Sequence, residues 1–424
     1  MLKRKYIVYT WVFLYPILPR FFVIGKYPVY TYFTFICAGL IGLMQLSSGR
    51  KAWKKDLVIV LLGYLLLLLT YIYQGEVMTF LRNFIEVFSI YFIICSYVSD
   101  RGSFNKIVEI LLKSCLVLCI FGIIDVVTHF NIFSLVENAQ NFGSMGTASM
   151  IRLGMKRVES SFGQPLSFSL YLTICSSLCF YMFKIRDGHN GLYKKIYILI
   201  WINIILTVSR FPIVLFAVLQ LLFTMQYTQR KKIRILSGVI IGGILSMIFI
   251  VLADIPFLND VSNMFLVIIS PESNSLYKGV FGGNENPFSY RFELFKDVPK
   301  FMTIYQVNKL FGIGSLGPTL FGRSIDCEYL FILLCYGWLG LIGKYLIFIV
   351  PMLKSMIYTF KLGKHSRVYT VESTTFNIKM LLTMIVYLIN LSSVAQLDEF
   401  RIANVALALL ISNMRLMKAE DDMK

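Results

Sequence analysis

The chain has 424 residues, of which 57% are hydrophobic and 15% are charged, and its mean hydropathy is +0.71. A soluble globular domain carries about 25% charged and about 45–50% apolar residues. This composition excludes a soluble enzyme, a disulfide-rich secreted module and a disordered tail, and it predicts an all-α, polytopic integral membrane protein. The net charge of +18 indicates cytoplasmic loops rich in Lys and Arg rather than a nucleic-acid partner.

A helix needs about 20 apolar residues to cross the bilayer core, and twelve stretches of the chain approach this length. They are 7–24, 28–46, 57–74, 77–98, 107–128, 165–183, 196–209, 211–226, 235–253, 327–350, 375–393 and 400–414. The first contains Pro16, Pro19 and Arg20, and the seventh, eighth and twelfth are short. With both termini in the cytoplasm, 24 of the 41 Lys and Arg residues fall in the inner segments, as the positive-inside tendency requires.

Two outer segments are long in this topology, 129–164 and 254–325, whereas every inner loop is short. Long loops in compact proteins are usually functional or disordered, and the Phe, Tyr and Leu residues in these two favour folding. We therefore expect a single membrane domain, 1–424, with an extracytoplasmic cap formed by both loops. The larger loop joins the ninth and tenth spans, and the function is expected at this face.

The sequence contains no motif for a metal or a cofactor. Seven of the eight cysteines lie in apolar runs, where a free Cys behaves as a small hydrophobe. None pairs with His at metal-ligand spacing, and Gly343-Lys344 fails the nucleotide-loop pattern. We expect neither a cofactor nor a metal ion.

Cations occur at two points where the predicted topology does not explain them. Arg152 and Arg157 close the first outer loop, just before a helix expected to start at Pro165, and the free amides of a helix start attract anions. Thr207-Val-Ser-Arg210 places a cation in the turn between two spans, where ionisable groups are functional by default. The structural alternatives are a solvated basic loop and an Arg that reaches the lipid headgroups.

Carboxylates and a further Arg mark the large loop and the tenth span. Arg291 lies beside Glu293, and Asp326 and Glu328 stand at the outer mouth of the tenth span. Residues that are two positions apart on a helix do not share a face. One of these two carboxylates is therefore expected to point into the bundle and to act as a general base. The alternative is an interfacial acid stabilised by the helix dipole.

Arg82 and Glu86 lie four residues apart on the fourth span. This spacing allows an ion pair along one helix face. Either side chain could also serve the same cavity as the other charged groups.

The order of these motifs resembles the O-antigen polymerase (Wzy) and O-antigen ligase family, bacterial membrane glycosyltransferases that act on undecaprenyl-diphosphate-linked glycans. Four segments carry the resemblance: Phe162-Gly-Gln-Pro165, Thr207-Val-Ser-Arg210, Phe311-Gly-Ile-Gly314 and the run from Tyr329-Leu330 to Gly337-Trp-Leu-Gly-Leu341. The resemblance implies a GT-C-like helical fold and metal-independent glycosyl transfer.

By the resemblance, Arg210 and Arg291 correspond to the family's diphosphate-binding arginines, assisted by Arg152 or Arg157. Arg82 is a further candidate because of its place on the fourth span. The ligase branch carries a His-Asn pair before its aromatic-Leu motif, where this chain has Asp326 and Cys327. That departure favours the polymerase branch and leaves the base open between Asp326 and Glu328.

The resemblance therefore implies polymerisation of O-antigen or capsule repeat units at the outer face of the bacterial cytoplasmic membrane. The substrates would be undecaprenyl-diphosphate-linked oligosaccharides in the membrane lipid, and a chain-length regulator is an expected partner. An O-antigen ligase is the first alternative and a polysaccharide flippase or transporter the second.

Overall fold

Helices make up almost all of the secondary structure in the computed structural model of the protein. The structure describes residues 4–19, 21–25, 27–47, 57–136, 151–152, 155–185, 191–225, 287–322, 325, 327–365, 371–393 and 400–422. In these residues the α-helices are α1 Arg4–Ile17, α2 Val29–Ser47, α3 Leu57–Tyr73, α4 Val77–Tyr97, α5 Arg101–Thr128, α6 Pro165–Ile185, α7 Gly191–Leu206, α8 Arg210–Thr224, α9 Pro287–Ile304, α10 Gly317–Phe321, α11 Glu328–His365, α12 Val371–Asn390 and α13 Phe400–Asp422. Short antiparallel strand pairs join β1 Val23–Ile24 to β2 Tyr27–Pro28 and β3 Ile151–Arg152 to β4 Met155–Lys156, and 3₁₀ turns cover Ile132–Val136, Ser160–Phe162 and Leu391–Ser393.

Six of the described helices are long and apolar enough to cross a membrane, namely Val29–Leu46, Val77–Tyr97, Arg101–Thr128, Pro165–Phe183, Glu328–Phe360 and Ile402–Glu420. Large apolar side chains are exposed along the helices, for example Leu62, Leu65 and Leu69 of α3. A soluble protein rarely exposes such a stripe, whereas in a bilayer it lies against lipid. The fold is therefore all-α and has the character of a membrane protein.

The helices reproduce most of the predicted spans but correct the first. Helices α2, α3, α4 and α6 lie within two residues of the predicted 28–46, 57–74, 77–98 and 165–183. The first predicted span, 7–24, is wrong at its end, because α1 stops at Ile17 and Val23–Ile24 pairs with Tyr27–Pro28. Pro16 and Pro19 lack the N–H donors that a continuing helix needs. The ninth predicted span, 235–253, lies outside the described residues.

Helix α5 begins at Arg101, six residues before the predicted span 107–128. Asp100 caps it: the Asp100 carboxylate accepts from the backbone N–H of Ser103, and the Ser103 side chain accepts from the backbone of Asp100. Such a capping box satisfies two amide donors that the helix start leaves open. The Ser103 hydrogen bond lowers the pKa of Asp100, so the cap keeps its charge in mildly acidic solution.

Helix α11 is broken at Gly337, where φ is 65° and ψ is −167°. The Nζ of Lys344 lies 2.9 Å from the Oε1 of Glu328, and the rings of Tyr329 and Tyr345 stack with centroids 5.0 Å apart. In a straight helix, residues sixteen positions apart would be about 24 Å apart. The arm 328–336 therefore folds back sharply against the arm 338–365, and the predicted single span 327–350 is wrong in this respect.

Segment 309–314 supplies the hydrogen bonds that the break in α11 removes. The amides of Ile313 and Gly314 donate to the carbonyls of Leu334 and Cys335, at 3.0 and 2.8 Å. On the other side of the bend, the amides of residues 338 and 339 donate to the carbonyls of residues 309 and 310, at 2.9 and 3.1 Å. Unpaired backbone groups are costly at membrane depth, so this loop makes the bend possible.

The bend lies beside the α3–α4 turn, residues 74–76. Gln74 donates through Nε2 to the carbonyls of Phe311 and Cys335, and Glu76 accepts from the amide and hydroxyl of Ser315. Below the turn, a Cβ added to Gly63 of α3 would lie 2.7 Å from the carbonyl oxygen of Gly343. Helix α3 therefore packs backbone to backbone against the second arm of α11, as small residues allow in membrane helices. We call the end of the bundle at residues 74–76 the upper end.

Replacement of Gly337 by Ala tests the role of the bend. Its backbone conformation is open almost only to glycine, and an added Cβ would lie 2.4 Å from the carbonyl of Leu310. We expect Gly337→Ala to lower the free energy of unfolding by about 3 kcal/mol or more, combining strain and overpacking. The unfolding midpoint of the purified protein in detergent measures this.

Gly75 provides the matched control, since its φ is also positive, at +72°, but nothing lies within 4 Å of an added Cβ. Gly75→Ala should cost about 1 kcal/mol, the lower end of the range for a strained backbone. Equal losses for the two variants would show that the contact with segment 309–314 contributes nothing.

Candidate functional site

The first arm of α11 carries a carboxylate into the centre of the bundle. The Glu328 side chain is 0% exposed and forms an ion pair with Lys344, whose side chain is 12% exposed. This agrees with the expectation that one carboxylate of the pair points inward. Asp326 lies outside the described residues, so the arrangement shows where Glu328 lies and leaves the choice of base open.

The loop before α6 binds the turn between α7 and α8. Arg157 donates from Nε to the carbonyl of Thr207 at 2.9 Å and from Nη2 to the hydroxyl of Ser209 at 2.7 Å. The amide of Val158 donates to the carbonyl of Leu206 at 3.2 Å. The structure thereby joins the two cationic segments that the sequence singled out, although 50 residues separate Arg157 from Thr207.

Two buried polar pairs hold this loop in place. Lys156 Nζ lies 2.7 Å from Asp125 Oδ1, with side chains 8% and 1% exposed. Asn131 donates through Nδ2 to Glu159 at 3.1 Å. Because the loss of one partner from a buried ion pair is strongly destabilising, these contacts fix the position of the adjacent Arg157.

The remaining predicted cations are placed only in part. Arg152 lies in β3, Arg210 is the first residue of α8 and Arg291 lies in α9, and their side chains fall outside the described part of the protein. Since Ser209 precedes Arg210 directly, the backbone of Arg210 lies next to the segment that Arg157 contacts. Helix α6 begins at Pro165, as predicted.

Arg82 contacts a neighbouring residue and the β1–β2 hairpin. Its Nε and Nη2 donate to Asn83 Oδ1 at 3.1 and 3.0 Å, and its guanidinium lies over the ring of Tyr27. The carboxylate of Glu86 accepts from the hydroxyl of Thr31 at 3.0 Å. The two side chains thus use different neighbours, unlike the ion pair that their spacing predicts.

A cavity lies between α2, α3, α4, α11 and α13, and it is lined in part by Asn83, Glu86 and Lys344. Lys344 therefore joins the buried carboxylate of Glu328 to a space that also contains Glu86. No group of three or more His, Cys, Asp or Glu side chains in the described residues could hold a metal ion.

The partners of these charges were missed in the sequence. In the sequence Lys344 stands out only in Gly343-Lys344, which fails the nucleotide-loop pattern, and Asp125 lies in an apolar stretch of α5. An ionisable residue in a membrane helix needs a partner, and this rule could have marked both. It does not say which residue the partner is, because the contacts join positions far apart in sequence.

Comparisons with known proteins identify no relative. No family model matches the chain, and no curated protein matches it significantly.

A double substitution tests the coupling of Glu328 to Lys344. We expect Lys344→Gln or Glu328→Gln alone to lower the free energy of unfolding by about 3–5 kcal/mol, because each leaves one buried charge without its counterion. Combination of both substitutions should recover much of the loss, since no uncompensated charge remains. The unfolding midpoints of the unsubstituted protein, the two single variants and the double variant, measured in detergent, give the four free energies of the cycle.

Lys354→Gln is the control, because Lys354 is exposed on the same arm of α11. It should leave stability unchanged within about 0.5 kcal/mol. Losses that simply add in the double variant would contradict a direct ion pair.

Proposed function

We propose that the chain is a metal-independent membrane glycosyltransferase that polymerises saccharide repeat units carried on undecaprenyl diphosphate. In this proposal twelve spans leave both termini in the cytoplasm, and the upper end of the bundle is the outer face of the bacterial cytoplasmic membrane. The donor is a growing glycan on the lipid diphosphate, and the acceptor is a lipid-linked repeat unit.

The observation that best supports the proposal is the contact of Arg157 with Thr207 and Ser209. It brings two cationic segments from separate parts of the chain together, next to the start of α8 at Arg210. An isolated cation has little reason to lie at membrane depth, whereas several guanidinium groups around one site suit a diphosphate, whose oxygens they bind bidentately.

The reaction that these groups would serve is a displacement at the anomeric carbon of the donor. A hydroxyl oxygen of the acceptor forms the new C–O bond, the bond from carbon to the diphosphate oxygen breaks, and the lipid diphosphate leaves with the bonding electrons. Arg210, Arg291 and Arg157, with Arg152 and Arg82 as further candidates, would stabilise that growing negative charge.

A carboxylate would take the proton of the attacking hydroxyl, a contribution of about 10²–10⁴-fold. Glu328 is enclosed and ion-paired with Lys344, and Asp326 precedes it by two residues, so both carboxylates stay candidates for this base. If Asp326 takes the proton, the Glu328–Lys344 pair holds the start of the helical arm that follows it.

Conservative substitution of the arginines tests the proposal. Lys keeps the charge but lacks the planar fork, so Arg210→Lys and Arg291→Lys should each reduce polymerisation by about 10²-fold. Arg157→Lys should act similarly, because an ammonium lacks the planar fork whose Nε and Nη2 reach Thr207 and Ser209. Polymer length on the cell surface, measured with membrane insertion verified, should collapse toward single repeats.

Lys300→Met is the matched control, since Lys300 is exposed on α9 in the same loop as Arg291, and it should leave long chains intact. Normal chain lengths in both the Arg210 and Arg291 variants would contradict a role of these arginines in polymerisation. A ligase would be indicated if the chains kept their length but were no longer transferred to a different acceptor.

A secondary transporter is the second candidate function, and the bend of α11 favours it. Transporter sites often form at broken helices, and α11 is broken at Gly337 with the buried Glu328–Lys344 pair below the break. The substitutions separate the two candidates, because a transport defect would retain the lipid-linked repeat units on the cytoplasmic side.

A further inference from the structure

The cavity between α2, α3, α4, α11 and α13 has a continuous aromatic wall. Tyr336 and Tyr71 lie with ring centroids 4.9 Å apart, Tyr71 and Phe80 follow at 5.6 Å, and Phe80 and Tyr64 at 6.1 Å. All four rings line the cavity. Tyr71 and Phe80 flank the α3–α4 turn, so the wall starts near the upper end and extends into the bundle.

Polar side chains face the same space from three helices. Asn83 and Glu86 come from α4, Lys344 from the second arm of α11 and Asn404 from α13. Asn404 also accepts from the hydroxyl of Tyr91, which lies fourteen residues along α4 and thus about 21 Å below its start. The cavity therefore carries amide, carboxylate and ammonium groups well into the depth of the bundle.

The size of the cavity limits what it can hold. Its volume is about 90 Å³, which is room for a small ligand such as one sugar unit and not for a whole lipid-linked glycan.

The chemistry of the lining matches a saccharide better than a hydrocarbon. Binding pockets combine apolar and aromatic walls with a few polar groups that fix orientation. A sugar ring presents a C–H face to aromatic rings and hydroxyl groups at its edge to amides and charges. Asn83, Glu86 and Lys344 have partners in Arg82, Thr31 and Glu328. The hydroxyl groups of a sugar could add hydrogen bonds to these polar groups, whereas an isoprenoid could add none.

The position of Arg82 indicates which sugar unit of the substrate would lie in the cavity. Its guanidinium donates to Asn83, so a cation lies directly beside a residue that lines the cavity. A diphosphate bound by Arg82 would place the sugar attached to it at the aromatic wall. We infer that the cavity is the subsite for the diphosphate-linked sugar of the lipid-bound substrate, an inference that rests on the proposed function.

A cavity-filling substitution provides the test. Val87 of α4 lines the cavity, whereas Ile85, two residues away, is 45% exposed on the outside of the bundle. Lipid-linked repeat units are extracted from cells that lack this protein, and their binding to the purified protein is titrated by native mass spectrometry. Undecaprenyl diphosphate without sugar is titrated in parallel.

Val87→Phe is expected to weaken binding of the lipid-linked repeat unit at least tenfold and to leave binding of sugar-free undecaprenyl diphosphate within twofold. Ile85→Phe should change neither affinity. Equal weakening of both ligands by Val87→Phe would overturn the inference in favour of a lipid or diphosphate occupant. Unchanged binding of both would overturn it in favour of water.

A second pair of substitutions, on α3, keeps the test valid if Val87→Phe folds poorly. Leu67 of α3 also lines the cavity, and Leu69 on the same helix is 46% exposed, so Leu67→Phe and Leu69→Phe repeat the comparison. If Val87→Phe and Leu67→Phe do not weaken the repeat unit selectively, while the arginine substitutions still shorten the polymer, only the assignment of the subsite is wrong. If they do weaken it selectively, while the arginine substitutions leave polymer length unchanged, the proposed function fails and the sugar site remains.

Discussion

The backbone hydrogen bonds at the break in α11 are the constraint on which the rest of the structure depends. A helix that breaks inside a bilayer exposes carbonyl and amide groups that lipid cannot satisfy. At Gly337 these groups are satisfied by segment 309–314, which donates to residues 334 and 335 and accepts from residues 338 and 339. Gly312 fits there because its φ is +73° and an added Cβ would lie 2.5 Å from the backbone of Cys335.

The bend determines where charges can lie. The arm 328–336 folds back only because the bend is stabilised, and this brings Glu328 to Lys344. A carboxylate and an ammonium at this depth are each costly alone and tolerable together. Lys344 also lines the cavity with Glu86, so one loop, one bend and one ion pair shape the polar interior beneath the upper end.

The loop before α6 is also held by a buried ion pair, like the first arm of α11. Lys156 and Asp125 form a buried pair, and the neighbouring Arg157 reaches Thr207 and Ser209. A rigid frame matters for a site that binds a diphosphate, because preorganised cations need no rearrangement as negative charge develops. The proposed chemistry therefore requires both regions, one for the leaving group and one for the carboxylate and the sugar.

The sequence predicted what local patterns determine. A predominantly apolar run defined α2, α3, α4 and α6 to within two residues, since a helix of that composition is stable in lipid wherever it packs. Gly337 gave no local signal, because an isolated glycine is tolerated in a helix and its break depends on segment 309–314. Lys344 and Asp125 likewise acquire their partners only in the folded chain, and so neither ion pair could be predicted from spacing.

Reconstitution of the purified protein in lipid nanodiscs tests the central claim most directly. The substrate is lipid-linked repeat unit extracted from cells that lack the protein, and the assay measures glycan length together with released undecaprenyl diphosphate, with and without a metal chelator. The account predicts longer glycans and one lipid diphosphate released for each repeat added, at the same rate in both conditions. Failure of the protein to lengthen the glycan or to release lipid diphosphate would contradict it, and loss of activity with the chelator would contradict the metal-independent mechanism.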